Sequence, residues 1–219
     1  MITFEQLKKD EGIRAYIAGA DKSLRALGYT DHSFPHVLHV AETAGYILRT
    51  LNYPEHDVEL VKIAGYLHDI GNLVNRSNHS LTGAVMAFQL MQNMDIEPED
   101  IATVSTAIGN HDEGTGIAVN PIAAALILAD KSDVRRSRVR NQDPAKFDIH
   151  DRVNFSVMKS MLRINEERTD ILLELTVDPQ YSSVMDYFEI FMTRMQMCRK
   201  AAAVLGLEFR LNINDQQLI

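Results

Sequence analysis

Hydrophobic positions up to about residue 140 recur with the 3.6-residue period of amphipathic helices, and no segment in this part alternates as a strand does. One predicted helix begins near Ser33 and has a proline in its first turn. A second starts near Pro54 and runs to His68-Asp69, where Gly71 is expected to end it. The pattern predicts an all-α fold for this part of the chain.

Three further helices are predicted before the pattern changes. Ser80 has the residue type of an N-cap, which would place His79 just before the first turn of its helix. The next helix starts at a proline and ends at Gly109-Asn110-His111. The last one starts after Asn120-Pro121, runs from residue 122 to about residue 138 and turns from apolar to charged at Asp130. A histidine or an aspartate therefore lies near the end of several of these predicted helices.

A different pattern follows residue 148. Two strands joined by a turn are predicted at residues 161–164 and 171–177, a helix at residues 183–205, and a third strand at residues 208–213. We therefore predict a mainly α fold. A helical bundle would occupy residues 1–147, and a small α+β subdomain of about three strands and a helix would occupy residues 148–219.

Composition narrows the classes of protein to consider. The net charge of −8 argues against a nucleic-acid partner, and the longest apolar run, at residues 122–129, is too short to cross a bilayer. The N-terminus lacks the apolar region of a secretory signal, so we expect a cytoplasmic protein with no membrane partner. A single cysteine, Cys198, excludes an intrachain disulfide and any multi-cysteine metal site. A bound metal would therefore need histidine and carboxylate ligands.

Candidate ligands of both kinds lie at the ends or edges of the predicted helices. They are His36, His68, Asp69, His79, His111 and Asp130. Imidazole and carboxylate together favour one or two divalent transition-metal ions, namely Fe, Mn, Co, Ni or Zn, and leave Mg open. Taken singly, a histidine is more often a surface or hydrogen-bonded core residue than a ligand.

The context of His68-Asp69 makes the metal interpretation more specific. Ala64-Gly-Tyr-Leu-His-Asp-Ile-Gly71 resembles the defining motif of the HD-domain superfamily of metal-dependent phosphohydrolases, a compact helical bundle with ligands in the order His, His-Asp, Asp. His36-Val-Leu-His-Val-Ala-Glu-Thr-Ala44 resembles the first motif of that family and selects His36 over His39 as the ligand. Ala129-Asp-Lys-Ser-Asp133 resembles the closing motif. The resemblance covers roughly residues 33–140.

Two more segments resemble histidine motifs of the dinuclear branch. They are His79-Ser-Leu-Thr-Gly-Ala84 and Asn110-His-Asp-Glu-Gly114, and their spacing is most similar to that of bacterial HD-type hydrolases of diadenosine tetraphosphate. The resemblance implies one metal on His36, His68, Asp69 and Asp130, and a second on Asp69, His79 and His111, with Asp69 as the bridge. The paired histidines and Gly-Tyr-Pro signature of cyclic-dinucleotide phosphodiesterases are missing, which disfavours that activity.

The implied activity is hydrolysis of a phosphate ester or anhydride of a nucleotide or similar small molecule by metal-activated hydroxide held at Asp69. Asp133 and His39 are candidate acid/base groups, although a solvent-exposed residue is the alternative interpretation of His39. Many relatives carry lysine where this chain has Asn72. The cations that we expect to contact the substrate phosphate instead are Lys131, Arg76, Arg136 and Arg138.

Two other readings stay open. A catalytically silent HD domain would bind a nucleotide or a partner without turnover, as a regulatory or interaction module. Alternatively, the segment after residue 148 would be an assembly surface, and its predicted hairpin would support a homodimer by pairing at an exposed edge.

Overall fold

The helices occupy most of the chain in the computed structural model, which describes residues 3–94, 96–141 and 143–219. The helices before residue 140 are α1 Phe4–Leu7, α2 Glu11–Ala26, α3 Phe34–Thr50, α4 Glu55–Leu67, α5 His79–Gln92, α6 Pro98–Gly109 and α7 Pro121–Ser132. Short 3₁₀ helices span Ile70–Leu73, Arg136–Arg138 and Pro144–Lys146. The remaining elements are α8 Ile149–Ser156, β1 Val157–Ile164, β2 Asp170–Val177, α9 Val184–Val204, β3 Glu208–Ile213 and β4 Gln216–Gln217. The prediction of a mainly α fold with a small C-terminal α+β part is confirmed.

Helix α7 forms the centre of the bundle. Every residue from Ile122 to Ser132 is buried, because α3, α4 and α6 pack on one part of its surface and α9 packs on another. The continuous apolar run of α7 is therefore explained by its burial on all sides, whereas an amphipathic helix would have one polar face. The charged residues at its C-terminal end consequently emerge inside the protein and not at the surface.

Two glycines bring the histidine-bearing segments together. At Gly65 of α4, a Cβ would lie 2.7 Å from the Cα of Ala41, so α3 and α4 cross at a distance that only glycine allows. At Gly71, a Cβ would lie 2.5 Å from the backbone nitrogen of Gly83 and closer still to the carbonyl of His79. The segment after His68-Asp69 is thereby pressed against α5.

Three details of the predicted helices are wrong. Gly71 does not end a helix at a left-handed residue; α4 ends at Leu67, and Gly71 lies within a 3₁₀ turn where close packing requires it. Ser80 is not an N-cap, because α5 begins at His79 after Asn78, a residue with a φ of 59°. Helix α7 ends at Ser132 instead of near residue 138, since Asp133 leaves the helical conformation with a ψ of 71°.

The C-terminal strands form one sheet in the order β1-β2-β3-β4. The predicted hairpin is present, with β1 and β2 antiparallel, whereas β2 and β3 are parallel and connected through α9. The sequence did not indicate α8 or the short β4. The predicted division of the chain at residue 148 stays a prediction, and α9 packs against α7 as well as against β3. Among the described residues, none of the helices has both the length and the apolar character that a bilayer crossing requires.

Candidate metal centre

Four buried histidines from four segments meet beside the end of α7. His36 belongs to α3, His68 caps the C-terminus of α4, His79 is the first residue of α5, and His111 follows α6. Each ring places its Nδ1 beside an oxygen that can only accept a hydrogen bond. The four pairs are His36 with Asp133 Oδ2 at 2.7 Å, His68 with the Gly65 carbonyl at 2.8 Å, His79 with the Arg76 carbonyl at 3.2 Å, and His111 with the Ile108 carbonyl at 2.7 Å. The Nδ1 atoms therefore carry protons, and the Nε2 atoms are left to bind something else.

The Nε2 atoms face one another in two close pairs. The His36 and His68 Nε2 atoms are 3.3 Å apart, and the His79 and His111 Nε2 atoms are 3.1 Å apart. Burial lowers the pKa of His79, and burial together with the charges of His68 and Lys131 holds the pKa of His111 well below its ordinary value. The second pair is therefore neutral, and two lone pairs point at each other across 3.1 Å. Such an arrangement is stabilised by a cation that both nitrogens bind.

Asp69 lies between the two pairs. Its Oδ2 is 3.2 Å from His68 Nε2 and 3.5 Å from His36 Nε2, while its Oδ1 is 3.5 Å from His79 Nε2. The residue is 5% exposed, and Oδ2 is a buried oxygen without a hydrogen-bond partner in the described part of the chain. Burial would raise the pKa of Asp69, but the charges of His68 and His32 hold it well below its ordinary value. A buried, ionised oxygen without a partner is a suitable ligand for a cation.

Asp130 completes the group on the other side. Its Oδ1 is 3.4 Å from His36 Nε2 and 3.7 Å from His68 Nε2, and its Oδ2 is 2.7 Å from Lys131 Nζ. Two sets of ligand atoms lie within 4.8 Å of one another, namely His36, His68 and Asp130, and His68, Asp69 and His111. Nitrogen and carboxylate donors at these separations fit a divalent transition-metal ion. His79 belongs to neither set, but its Nε2 is 3.1 Å from that of His111 and 3.5 Å from Asp69 Oδ1.

The surroundings of His36 favour a positive charge there. Burial and the charge of Arg138 lower its pKa, but the carboxylates of Asp130, Asp133 and Asp69, which lie 3.4, 2.7 and 3.5 Å from its ring nitrogens, outweigh them and raise the pKa to about 9. A proton supplies this charge in the metal-free protein, and a divalent ion would supply it in place of the proton.

Asp133 and His39, the candidate acid/base groups, both lie behind His36 and away from the cavity described below. Asp133 is buried and is bonded by His36 Nδ1 and by Arg135, whose Nη2 is 3.0 Å from Oδ2. Burial would raise its pKa, yet the His36 hydrogen bond and the Arg138 charge lower it far below the ordinary value. His39 Nε2 is 3.9 Å from Asp133 Oδ1. The geometry thus gives Asp133 the role of orienting His36.

A cavity of about 520 Å³ opens beside Asp69, His79, His111 and Asp130. Three of the four cations that we expected at substrate line it, namely Arg76, Lys131 and Arg138. Two of the guanidinium contacts of Arg138 go to backbone, to the carbonyls of Asp133 at 2.7 Å and Asp31 at 2.9 Å. Arg136 points elsewhere, because it stacks 4.4 Å from the Phe155 ring centroid and pairs with Asp178 at 3.3 Å.

Other lining residues were missed by the sequence reasoning. His32 donates from Nδ1 to the Thr30 carbonyl at 2.7 Å, and its ring centroid is 5.5 Å from that of His36. Its position four residues before His36 was a signal that the sequence offered. Arg194 of α9 and His150 of α8 also line the cavity, and nothing near them in the sequence indicated it.

Three comparisons with known proteins found similarities. Residues 34–151 match the family model of the HD domain. An uncharacterized protein of Methanocaldococcus jannaschii, MJ1020, is 26% identical over 189 residues, which cover 75% of this chain and 72% of that protein. A crystal structure of a predicted HD superfamily hydrolase from an uncultured Thermotogales bacterium is also similar, with a TM-score of 0.46 and 23% sequence identity. The similarity covers 62% of this chain and 75% of that one. The family match covers more than half of the chain and includes His36, His68-Asp69, His79, His111 and Asp130.

Proposed function

Because this chain belongs to the HD domain family of metal-dependent phosphohydrolases, we propose that it cleaves a phosphate ester or anhydride of a small molecule such as a nucleotide. One observation carries the proposal: two pairs of histidine Nε2 atoms, 3.3 Å and 3.1 Å apart, enclose a buried carboxylate, one oxygen of which has no hydrogen-bond partner among the described residues. A cation bound by these groups would offset the burial of the carboxylate, and a domain that only binds partners would not need such a set.

Six residues would hold the metal, and their arrangement supports two ions. His36, His68, Asp69 and Asp130 would hold one ion, and His79, His111 and Asp69 a second, as in the dinuclear branch of the family. Asp69 directs one oxygen to each histidine pair, which supports a bridging role. A bound divalent ion lowers the pKa of water from 15.7 to about 7 and offsets negative charge on a phosphoryl oxygen.

The surrounding residues orient these ligands. Asp133 and the Gly65 carbonyl fix which nitrogen of His36 and His68 is free, and the side-chain amide of Asn72 donates to Asp69 Oδ1 at 2.9 Å. Asn72 thereby orients the carboxylate, at the position where many relatives have lysine. Lys131 offsets the charge of Asp130 through Oδ2. The effect is a preorganised set of donors in a site that excludes most water.

The cavity has the dimensions and polar groups of a small-molecule site. Arg76 lies over the Tyr29 ring at 5.3 Å, close to His79, and can pair with a phosphate through two parallel hydrogen bonds. Tyr29 and Phe191 add aromatic surface to the lining, which suits the base of a nucleotide.

Metal analysis and activity assays on the protein prepared without chelator test the proposal. We expect bound transition metal and hydrolysis of at least one member of a panel of phosphomonoesters, phosphodiesters and nucleotides. Asp69→Asn should lose both properties, whereas Glu189→Gln, the same carboxylate-to-amide change on an exposed residue of α9, should keep both. Unchanged metal content and activity in Asp69→Asn would refute the proposal. Nucleotide binding without product formation in the presence of Mn or Fe would instead identify a silent domain.

A further inference from the structure

Two cations from distant parts of the chain contact the same carboxylate oxygen in the wall of the cavity. Lys131 Nζ, at the end of α7, is 3.4 Å from Glu113 Oε1, and Arg194 Nε, in α9, donates to that oxygen at 2.8 Å. All three residues line the cavity. We propose that Lys131 and Arg194 form an anion subsite, which Glu113 fills until a second phosphate group of the substrate replaces it.

The contacts of Glu113 support its displacement. It lies in the irregular segment between α6 and α7, and its side chain is 30% exposed. In the described part of the chain, the hydrogen bonds and ion pairs of its carboxylate go to Lys131 and Arg194 alone. An anion that takes over these two contacts therefore breaks no other interaction of Glu113.

The cations, in contrast, are held in place. Lys131 is 5% exposed and its Nζ is fixed at 2.7 Å from Asp130 Oδ2. The Arg194 guanidinium lies 4.4 Å from the Phe191 ring centroid, which keeps it at the cavity wall. Two oriented cations that share one oxygen atom match a phosphate group, because its oxygens accept several charge-assisted hydrogen bonds at once.

The position of the subsite indicates which part of the substrate it binds. Asp130 separates it from the histidines, since Oδ1 faces His36 and His68 while Oδ2 faces Lys131. We therefore assign the phosphate cleaved at the metal centre and the phosphate bound by Lys131 and Arg194 to different groups of the substrate. This assignment rests on the proposed function and narrows the substrate class to compounds with two neighbouring phosphates. Because α9 lies outside residues 34–151, the C-terminal part of the chain would set this preference.

Calorimetric titration of the full-length protein tests the subsite without turnover. The probes are methylenediphosphonate, a non-hydrolysable mimic of two linked phosphates, and inorganic phosphate. Arg194→Gln should weaken the binding of methylenediphosphonate by about tenfold and change that of phosphate much less. Glu113→Gln should strengthen the binding of methylenediphosphonate, because it removes the competing charge. Arg199→Gln, on the exposed face of the same helix, should leave both affinities unchanged.

The opposite signs of the two variants separate this proposal from a structural ion pair. If Glu113 and Arg194 only stabilised the fold, both substitutions would lower the melting temperature and neither would tighten binding. Changes in the same direction, no change, or no binding of methylenediphosphonate by the wild type would overturn the subsite. Should Arg194→Gln fail to fold, Arg194→Lys, which keeps the charge and loses the planar guanidinium, should weaken the binding of methylenediphosphonate by a smaller factor, and Glu113→Gln should still strengthen it. The proposed function fails separately, through absent metal or absent hydrolysis in the wild type.

Discussion

Replacing Asp133 with asparagine tests whether a buried carboxylate orients His36. The change keeps the size of the side chain and removes its charge. Asp133 Oδ2 accepts from His36 Nδ1 at 2.7 Å and from Arg135 at 3.0 Å, and Arg138 Nη1 is 3.8 Å away. An amide that keeps its oxygen toward His36 presents its NH₂ group to the Arg135 guanidinium, and the flipped amide presents its NH₂ group to His36 Nδ1, so part of the network is lost in each orientation.

The magnitude follows from these contacts. A hydrogen bond to a charged group contributes about 1.5–3 kcal/mol, and breaking a buried ion pair costs about 3–5 kcal/mol. Arg138 keeps its bonds to the carbonyls of Asp133 and Asp31, so the lower end of the range for a buried ion pair applies. We expect the free energy of unfolding to fall by about 3 kcal/mol and metal affinity to fall by about 10- to 100-fold.

Urea denaturation in the presence of a chelator measures the first effect, and competition with a chromogenic chelator measures the second. Glu189→Gln is the control, since it makes the same chemical change on an exposed residue. Unaltered metal affinity in a destabilised Asp133→Asn protein would show that Asp133 does not determine which nitrogen of His36 is free. If the free energy of unfolding were unaltered as well, Asp133 would have no role in the site.

Three other outcomes are expected from the structure. Gly71→Ala should lower the free energy of unfolding, measured in urea, by more than about 3 kcal/mol, because the new Cβ meets the backbone of His79 and Gly83. The control is Gly114→Ala, where the nearest atom is 3.8 Å away, and it should change the free energy of unfolding by less than about 0.5 kcal/mol. Equal stability of the two variants would contradict the close packing at Gly71. Cys198 should resist iodoacetamide at pH 8 until the protein unfolds, because burial raises the pKa of its thiol to about 12; labelling of the native protein at the rate of a free thiol would contradict this. A chelator should lower the melting temperature of the metal-loaded wild-type protein, and it should leave that of the Asp69→Asn protein unchanged. Calorimetry measures both melting temperatures, and equal shifts in the two proteins would show that the ion binds elsewhere.

Local signals in the sequence were sufficient for most of the helices and strands. The starts of α3, α6 and α7 follow from their serine, asparagine and proline residues, and the strand at residues 208–213 was predicted with the bounds that the structure has. The errors at Gly71 and Ser80 have another cause. Both residues have the chemical character of a cap, but their conformation is determined by the contact between α5 and the 3₁₀ turn, which joins residues from two elements.

The candidate site likewise combines residues that the sequence indicated with residues that it did not. His36, His68-Asp69, His79, His111 and Asp130 stand in short motifs, so their convergence was expected from the sequence. The partners that orient or surround them are distant in the chain, as Arg194 is from Glu113, and only the tertiary structure brings them together. Arg136 illustrates the opposite case, because a basic cluster in the sequence contains members that point away from the cavity.

The burial of α7 on all sides has a consequence for synthesis on the ribosome. Part of its surface is covered by α9, and the roughly 70 residues between Ser132 and Val204 take about 4 to 14 s to translate at 5–20 residues per second. During that interval the nascent chain carries an apolar helix without its final cover, so we expect it to engage chaperones. The helix that carries Asp130 is then packed on every side only when α9 has emerged.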